Sequence, residues 1–293
     1  TLIEAIDEST LRGPSIANRA FVMAWLLIRL DRRDEAAPLL ERVRHATGVP
    51  SDYRILTEAE LLLELNQPVE AATVLQDFPV DSGLGIRAGL IRAAALQDAG
   101  RSSDSIEAYE QIGLTTDPTI GVDRALWALA QRFGPTSDRA RPLLERLITN
   151  YPRTQAGIGA AAAIRNFSPT VEQTATRARM IMAAGAWRNV ISLVQPLESS
   201  LGDYTEASCD ARFSLGRSLF KINEVTRAAA LLGPTGRGCA GINDEVGPKA
   251  LYLAGKSEER KRSWSGLFRY CHWVRKKMVR RIYDLKRKYN RFR

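Results

Sequence analysis

Six short turns recur along this sequence and restrict its fold more than any other feature. They read "RLDRRDEAAPLL", "ELNQPVEAATVL", "DAGRSSDSIEAY", "RFGPTSDRARPLL", "AAGAWRNVISLV" and "FKINEVTRAAALL". Each joins two stretches whose apolar residues recur at i, i+3 and i+4, the period of an amphipathic helix. The turns carry, in order, Asp31, Asn66, Gly100, Gly134, Gly185 and Asn223. These are the residue types that tolerate the left-handed conformation ending a helix. Their spacings are 35, 34, 34, 51 and 38 residues, so one helical hairpin is repeated with a single interruption.

The second helix of each hairpin carries a small or short side chain early: Ala36, Ala71, Ser105, Ala140, Val190 and Ala228. A small residue there lets two antiparallel helices approach closely. A larger apolar residue follows about one turn later (Leu39 or Leu40, Val74 or Leu75, Tyr109, Leu143 or Leu144, Leu193, Leu231 or Leu232) and fills the layer between hairpins. Pro68 sits just inside its helix, where a missing N–H costs nothing. This small-residue logic resembles the tetratricopeptide repeat, a helix-turn-helix unit of 34 residues. The match is degenerate: "LG" occurs in a first helix only at Leu215-Gly216, with Trp127 and Gly255 as weaker echoes. The expected fold is all-α, a right-handed α-solenoid of degenerate tetratricopeptide-like hairpins over 1–260. The long spacing holds "TNYPRTQAGIGAAAAIRNFSPT", an insertion near 150–170 whose Ala-rich stretch predicts one short extra helix.

Two longer phrases carry a narrower resemblance. "ARFSLGRSLFKINEVTRAAALLGP" (Ala211–Pro234) and "GPKALYLAGKSEERKRSW" (Gly247–Trp264) are similar to the superhelical N-terminal region of soluble lytic murein transglycosylases, and "ARMIMAAGAWRNVISLVQPLESSL" (Ala178–Leu201) fits the same pattern. The resemblance covers roughly residues 120–264. It implies a bacterial periplasmic scaffold acting on peptidoglycan, with cleavage in a separate lysozyme-like domain. That domain carries a catalytic Glu-Ser pair followed by Gly-Leu-Met-Gln. The Glu-Ser pairs here, Glu8-Ser9 and Glu198-Ser199, have no such sequel. The chain is therefore expected to be a non-catalytic scaffold, without catalytic residues or cofactors, whose partners are peptidoglycan or cell-wall proteins. The alternative is a free-standing adaptor that holds a protein or peptide on a concave face.

Charge divides the chain sharply. The whole carries +9, but residues 261–293 hold 13 Lys/Arg against one acid, Asp284. The other 260 residues hold 29 basic and 32 acidic side chains, so the body is mildly acidic and not a polyanion binder. In the tail, Arg275, Lys276, Lys277, Arg280, Arg281, Lys286, Arg287 and Lys288 are candidate contacts to an anionic surface. Three readings stay open for it: a basic amphipathic helix on lipid, nucleic acid or wall polymer; a helix capping the last repeat; or an aberrant sequence where the repeats break off. Nucleic acid enters only through this tail. No apolar run is long enough for a transmembrane span. Thr1 in first position leads to the expectation of a processed or cut start, and no leader is visible, so a periplasmic location rests on the resemblance alone.

The remaining motifs are weak. Cys209, Cys239 and Cys271 have no metal-site spacing. A hairpin returns to the end it started from, which brings Cys209 and Cys239 near one another; a disulfide or two free thiols both fit. "GRGCAG" (Gly236–Gly241) matches a dinucleotide-binding pattern literally, but it follows a helix and Pro234 and is expected to be a loop. His45 and His272 are expected at the surface, and Trp25, Trp127 and Trp187 between helices.

Overall fold

The computed structural model describes residues 14–45, 50–79, 81–116 and 118–261. Within them the chain is all-α and divides into two compact units, 1–144 and 145–293. The helices are α1 (Pro14–Arg29), α2 (Arg33–Ala36), α3 (Leu40–Arg44), α4 (Ser51–Glu64), α5 (Pro68–Val74), α6 (Gly85–Asp98), α7 (Ser102–Gly113), α8 (Val122–Phe133) and α9 (Arg141–Asn150). There follow α10 (Gln155–Ala163), α11 (Val171–Ala183), α12 (Trp187–Val194), α13 (Glu206–Lys221), α14 (Val225–Gly238) and α15 (Val246–Arg260). The Ala-rich insertion does form a short helix, α10, started by Thr154, whose hydroxyl accepts from the Gly157 N–H.

All six turn residues have positive φ, from 56° at Asn66 to 82° at Gly134. In five of them the same two bonds close the first helix. The left-handed residue donates its N–H three residues back, and the next residue donates five back: Gly100 to Gln97 and Arg101 to Leu96, or Asn223 to Phe220 and Glu224 to Leu219. This double closure satisfies carbonyls that a helix end otherwise leaves orphaned. Gly134 makes the first bond only, because the next residue, Pro135, has no N–H. Proline also excludes the α region for the residue before it, and Gly134 sits at φ 82°, ψ 121°, where a side chain is poorly tolerated.

In four hairpins the residue after the left-handed turn residue then opens the second helix. Its carbonyl accepts from the N–H four residues on: Gln67 from Ala71, Arg101 from Ser105, Ala186 from Val190 and Glu224 from Ala228. Those acceptors' partners are the small residues singled out above, and all six small residues are 0% exposed. Ser105 also donates its hydroxyl to the Ala93 carbonyl of α6 at 2.6 Å, so even the polar member of the set is bonded across the hairpin. Ion pairs support the helix starts from outside: Arg32–Glu35, Arg101–Asp104 and Glu224–Arg227 each link the opening residue to one three further on.

From α4 to α8 and from α11 to α15 each helix packs on its successor, and first helices also touch first helices: α1 on α4, α4 on α6 and α6 on α8 in the first unit, α11 on α13 and α13 on α15 in the second. That is the nearest-neighbour connectivity of a repeat array. In the first unit charge ties reinforce it. Arg44, the last residue of α3, donates to the buried Glu58 of α4 at 2.7 Å, and this bond raises the guanidinium pKa above its usual value. Arg87 of α6 pairs with Glu60 of α4.

The expectation for "GRGCAG" needs correction. Gly236 and Gly238 belong to α14, which continues through Pro234, and Cys239 caps it. A Cβ on Gly236 would stand 2.5 Å from Leu251 Cγ and 2.9 Å from the Leu251 backbone nitrogen. The glycines are there because α15 presses against α14, and this burial outweighs the hydrogen bond that Pro234 forfeits.

Two kinds of substitution test the register of the hairpins. Ala71→Leu and Ala228→Leu are expected to lower the unfolding free energy in urea by about 1–3 kcal/mol through overpacking. Asn66→Gly should be nearly neutral, while Asn66→Val should cost about 1–2 kcal/mol because a branched side chain resists positive φ.

Candidate functional site

A groove of about 760 Å³ lies in the second unit. One wall is the 3₁₀ stretch Gln195–Ser200 that follows α12 and presents Gln195, Glu198 and Ser199. The opposite wall is α14, with Arg227, Leu231 and Pro234, and the floor includes Leu219 of α13. Tyr204 and Arg212 close one end.

The closed end is built by local chemistry. Thr205 starts α13 with a reciprocal cap: its hydroxyl accepts from Ser208 N–H, and Ser208 Oγ accepts from Thr205 N–H. Ser208 also donates its hydroxyl to the Asp203 carbonyl at 2.8 Å, which fixes the preceding loop. Tyr204 on that loop lays its ring against Gly238, where a Cβ would collide with it. Arg212 stands over the Tyr204 ring, 4.7 Å from its centre, and donates Nη2 to the Gly202 carbonyl at 2.7 Å. On α14, Pro234 has no N–H to give the Ala230 carbonyl, and Thr235 turns its hydroxyl back to the Leu231 carbonyl at 2.8 Å.

Behind the groove the structure joins Cys209 to Cys239, with Cα atoms 5.8 Å apart. The start of α13 is thereby tied to the end of α14, and both cysteines are fully buried. Next to Cys209, burial pushes the Asp210 carboxyl above its ordinary value of 3.8, partly offset by Arg179 at 3.7 Å. Asn243, ahead of α15, donates its side-chain amide to Asp210 and accepts from the Glu245 and Val246 N–H groups.

A second pocket, of about 240 Å³, lies in the first unit. Trp25 and Arg29 of α1, Tyr53 and Leu56 of α4, and Arg87 of α6 line it. Arg29 stands over the Trp25 ring at 5.5 Å. Three successive first helices therefore contribute to one concavity.

The tail residues Arg275, Lys276, Lys277, Arg280, Arg281, Lys286, Arg287 and Lys288 lie outside the described residues, as do Cys271 and His272. His45 is exposed, and Trp25, Trp127 and Trp187 are half-buried. Arg217 and Lys221 both stand over the Trp187 ring, at 5.9 and 5.7 Å. The pair Glu198-Ser199 is exposed on the groove wall. Among the described residues no group of His, Cys, Asp or Glu is placed to hold a metal ion, and no helix is long and apolar enough to cross a membrane. Sequence reading missed the groove. Its partial signals are Pro234 inside a helix and the glycines that admit Leu251 and Tyr204.

No protein-family model matches this sequence, and no curated protein matches it. Solved structures similar to it include the following two. A tetratricopeptide repeat protein from Parabacteroides merdae shares 14% identity over 86% of this chain and 89% of its own, with a TM-score of 0.41. BtubC (BKLC) from P. vanneervenii shares 12% identity over 97% of this chain and 93% of its own, with a TM-score of 0.26. At these values neither likeness says what this chain binds.

Two measurements follow from the geometry around Cys209. Replacing both cysteines by Ala is expected to lower the unfolding free energy by roughly 3–4 kcal/mol, the loop-closure value for a separation of 30 residues. Urea titrations with and without reductant check this, the reduced native chain matching the double variant. Asp210, with its pKa raised on folding, binds more protons in the folded state than in the unfolded one just above pH 3.8. Its contribution is thus full below that value and is lost as pH rises through the folded pKa. Asp210→Asn should remove that stretch of falling stability from a pH series of thermal melts.

Proposed function

We propose that this chain is a protein-binding helical-repeat scaffold. The observation that carries the reading is the pocket of the first unit, which no single hairpin could form. Trp25 and Arg29, Tyr53 and Leu56, and Arg87 reach it from three consecutive first helices. Tyr53 is 46% exposed, and so stands ready as an aromatic contact rather than a core residue. Repeat arrays bind through such extended surfaces, in which each unit adds a few side chains, and aromatic and arginine residues supply most of the energy at protein interfaces.

A narrower version directs the scaffold to the bacterial cell wall. Its support is the pair of phrases in α13 and α15, "LGR" and "ALYLAGKS", and the Cys209–Cys239 bond, of a kind that persists in oxidising compartments such as the periplasm. In this version the chain acts as a non-catalytic support for peptidoglycan-processing partners, with the basic tail available to anionic wall polymer.

Retention of immobilised chain on soluble protein partners and on purified peptidoglycan separates these versions. The scaffold reading expects a defined protein partner whose retention falls at least tenfold with Tyr53→Ala or Arg29→Ala, both exposed positions. Retention on peptidoglycan by residues 1–260 favours the wall-directed version. Partner retention that ignores both substitutions counts against the first-helix surface as the site.

A further inference from the structure

The groove of the second unit contains a cation without a counter-ion. Arg212 makes two contacts among the described residues, with the Gly202 carbonyl and the Tyr204 ring, and no carboxylate pairs with it. It is half-buried, and its Nη1 is shut off from solvent with no acceptor. Holding a guanidinium in partly dehydrated surroundings with only neutral partners gives up hydration without the return a carboxylate would supply. Arg227, the other cation of the lining, is already paired with Glu224 at 2.5 Å. Glu198, the acid of the lining, is exposed on the 3₁₀ stretch. Arg212 is thus the cation of the lining that no carboxylate pairs among the described residues.

The rest of the groove suits a polypeptide. Leu219, Leu231 and Pro234 form an apolar strip along α13 and α14. Ala230 lines the groove beside that strip, and Pro234, four residues on, has no N–H to give its carbonyl. The volume of about 760 Å³ lies within the range of ligand-binding clefts.

We propose that this groove binds an extended segment of a partner protein in which a carboxylate side chain lies between aliphatic residues. The carboxylate brings the counter-charge that Arg212 lacks. The aliphatic side chains cover Leu231 and Pro234 over the buried Leu219. Tyr204 and the Cys209–Cys239 bond hold the end of the groove rigid, so little ordering is needed on binding. The inference rests on the protein-binding reading above, but it concerns a different surface and fixes the chemistry of what binds there.

The test uses short peptides, acetylated and amidated at their ends, with a Leu-X-Leu core and X set to Glu, Asp, Gln or Lys. Binding to the full chain is followed by fluorescence anisotropy. Glu and Asp peptides are expected to bind about tenfold tighter than Gln, the effect of one charge-assisted contact. Ser199→Glu, an exposed change that adds negative charge to the wall, should weaken the acidic peptides severalfold, and Glu198→Gln should strengthen them. Arg212→Gln should abolish the preference for acid; where that variant melts early, the two exposed substitutions carry the test alone. Equal binding of Glu and Gln peptides, an acid preference indifferent to the substitutions, or no binding of any peptide overturns the proposal. A protein partner lost with Tyr53→Ala while the acidic peptides fail leaves the scaffold reading standing and removes this inference. Substitution-sensitive peptide binding without any protein partner does the reverse.

Discussion

The close approach of two helices at one small residue governs this fold. In five hairpins that residue stands five positions after a left-handed turn residue, and the sixth, with Pro135 in the turn, takes one position more. The offset has a mechanical origin. In the hairpins of Ala71, Ser105, Val190 and Ala228 the left-handed residue reverses the chain, the next residue bonds back to the first helix, and that residue's carbonyl receives the N–H of the small side chain's residue. Turn and contact are thus one hydrogen-bonded unit, and the first point where the second helix meets the first is set by it. A bulky residue there would wedge the pair apart, so all six sites are closed to solvent. From this contact follow the layer of larger apolar residues beyond it and the stacking of first helix on first helix.

The second unit adds further devices. Glycines inside α13 and α14 let neighbouring helices come closer still: a Cβ on Gly216 would meet Leu232, and one on Gly236 would meet Leu251, each at 2.5 Å. The Cys209–Cys239 bond closes the open end of the α13–α14 hairpin, opposite the Asn223 turn. Its two ends are held by different means, a turn at one and a covalent link at the other. Between them α14 tolerates an internal proline, and the groove lies along that helix.

Much of this was legible in the sequence because it depends on residue types with narrow conformational or steric demands. Asp31, Asn66, Gly100, Gly134, Gly185 and Asn223 stand out since few residues accept positive φ, and the small residues stand out since their period matches the turns. The Ala-rich insertion was legible as a helix for the same local reasons. "GRGCAG" was not, because Pro234 and two glycines argue locally for a loop while packing against Leu251 and Tyr204 decides otherwise. The groove was hidden for a related reason. Arg212 lies in an ordinary helical stretch, and nothing local reveals that its guanidinium has a carbonyl and a ring for neighbours but no carboxylate. Surfaces of a repeat array are made by juxtaposing hairpins, so their chemistry emerges only when distant segments are set side by side.

Amide hydrogen exchange at residues 71, 105, 190 and 228 tests the central claim most directly. These N–H groups lie in the first turn of a second helix, where exchange is usually fast because helix ends fray. If turn and close contact form one unit, they exchange as slowly as amides in the middle of α4, α6 and α13. Exchange at the rate of frayed helix ends, with the middles of those helices protected, would contradict it.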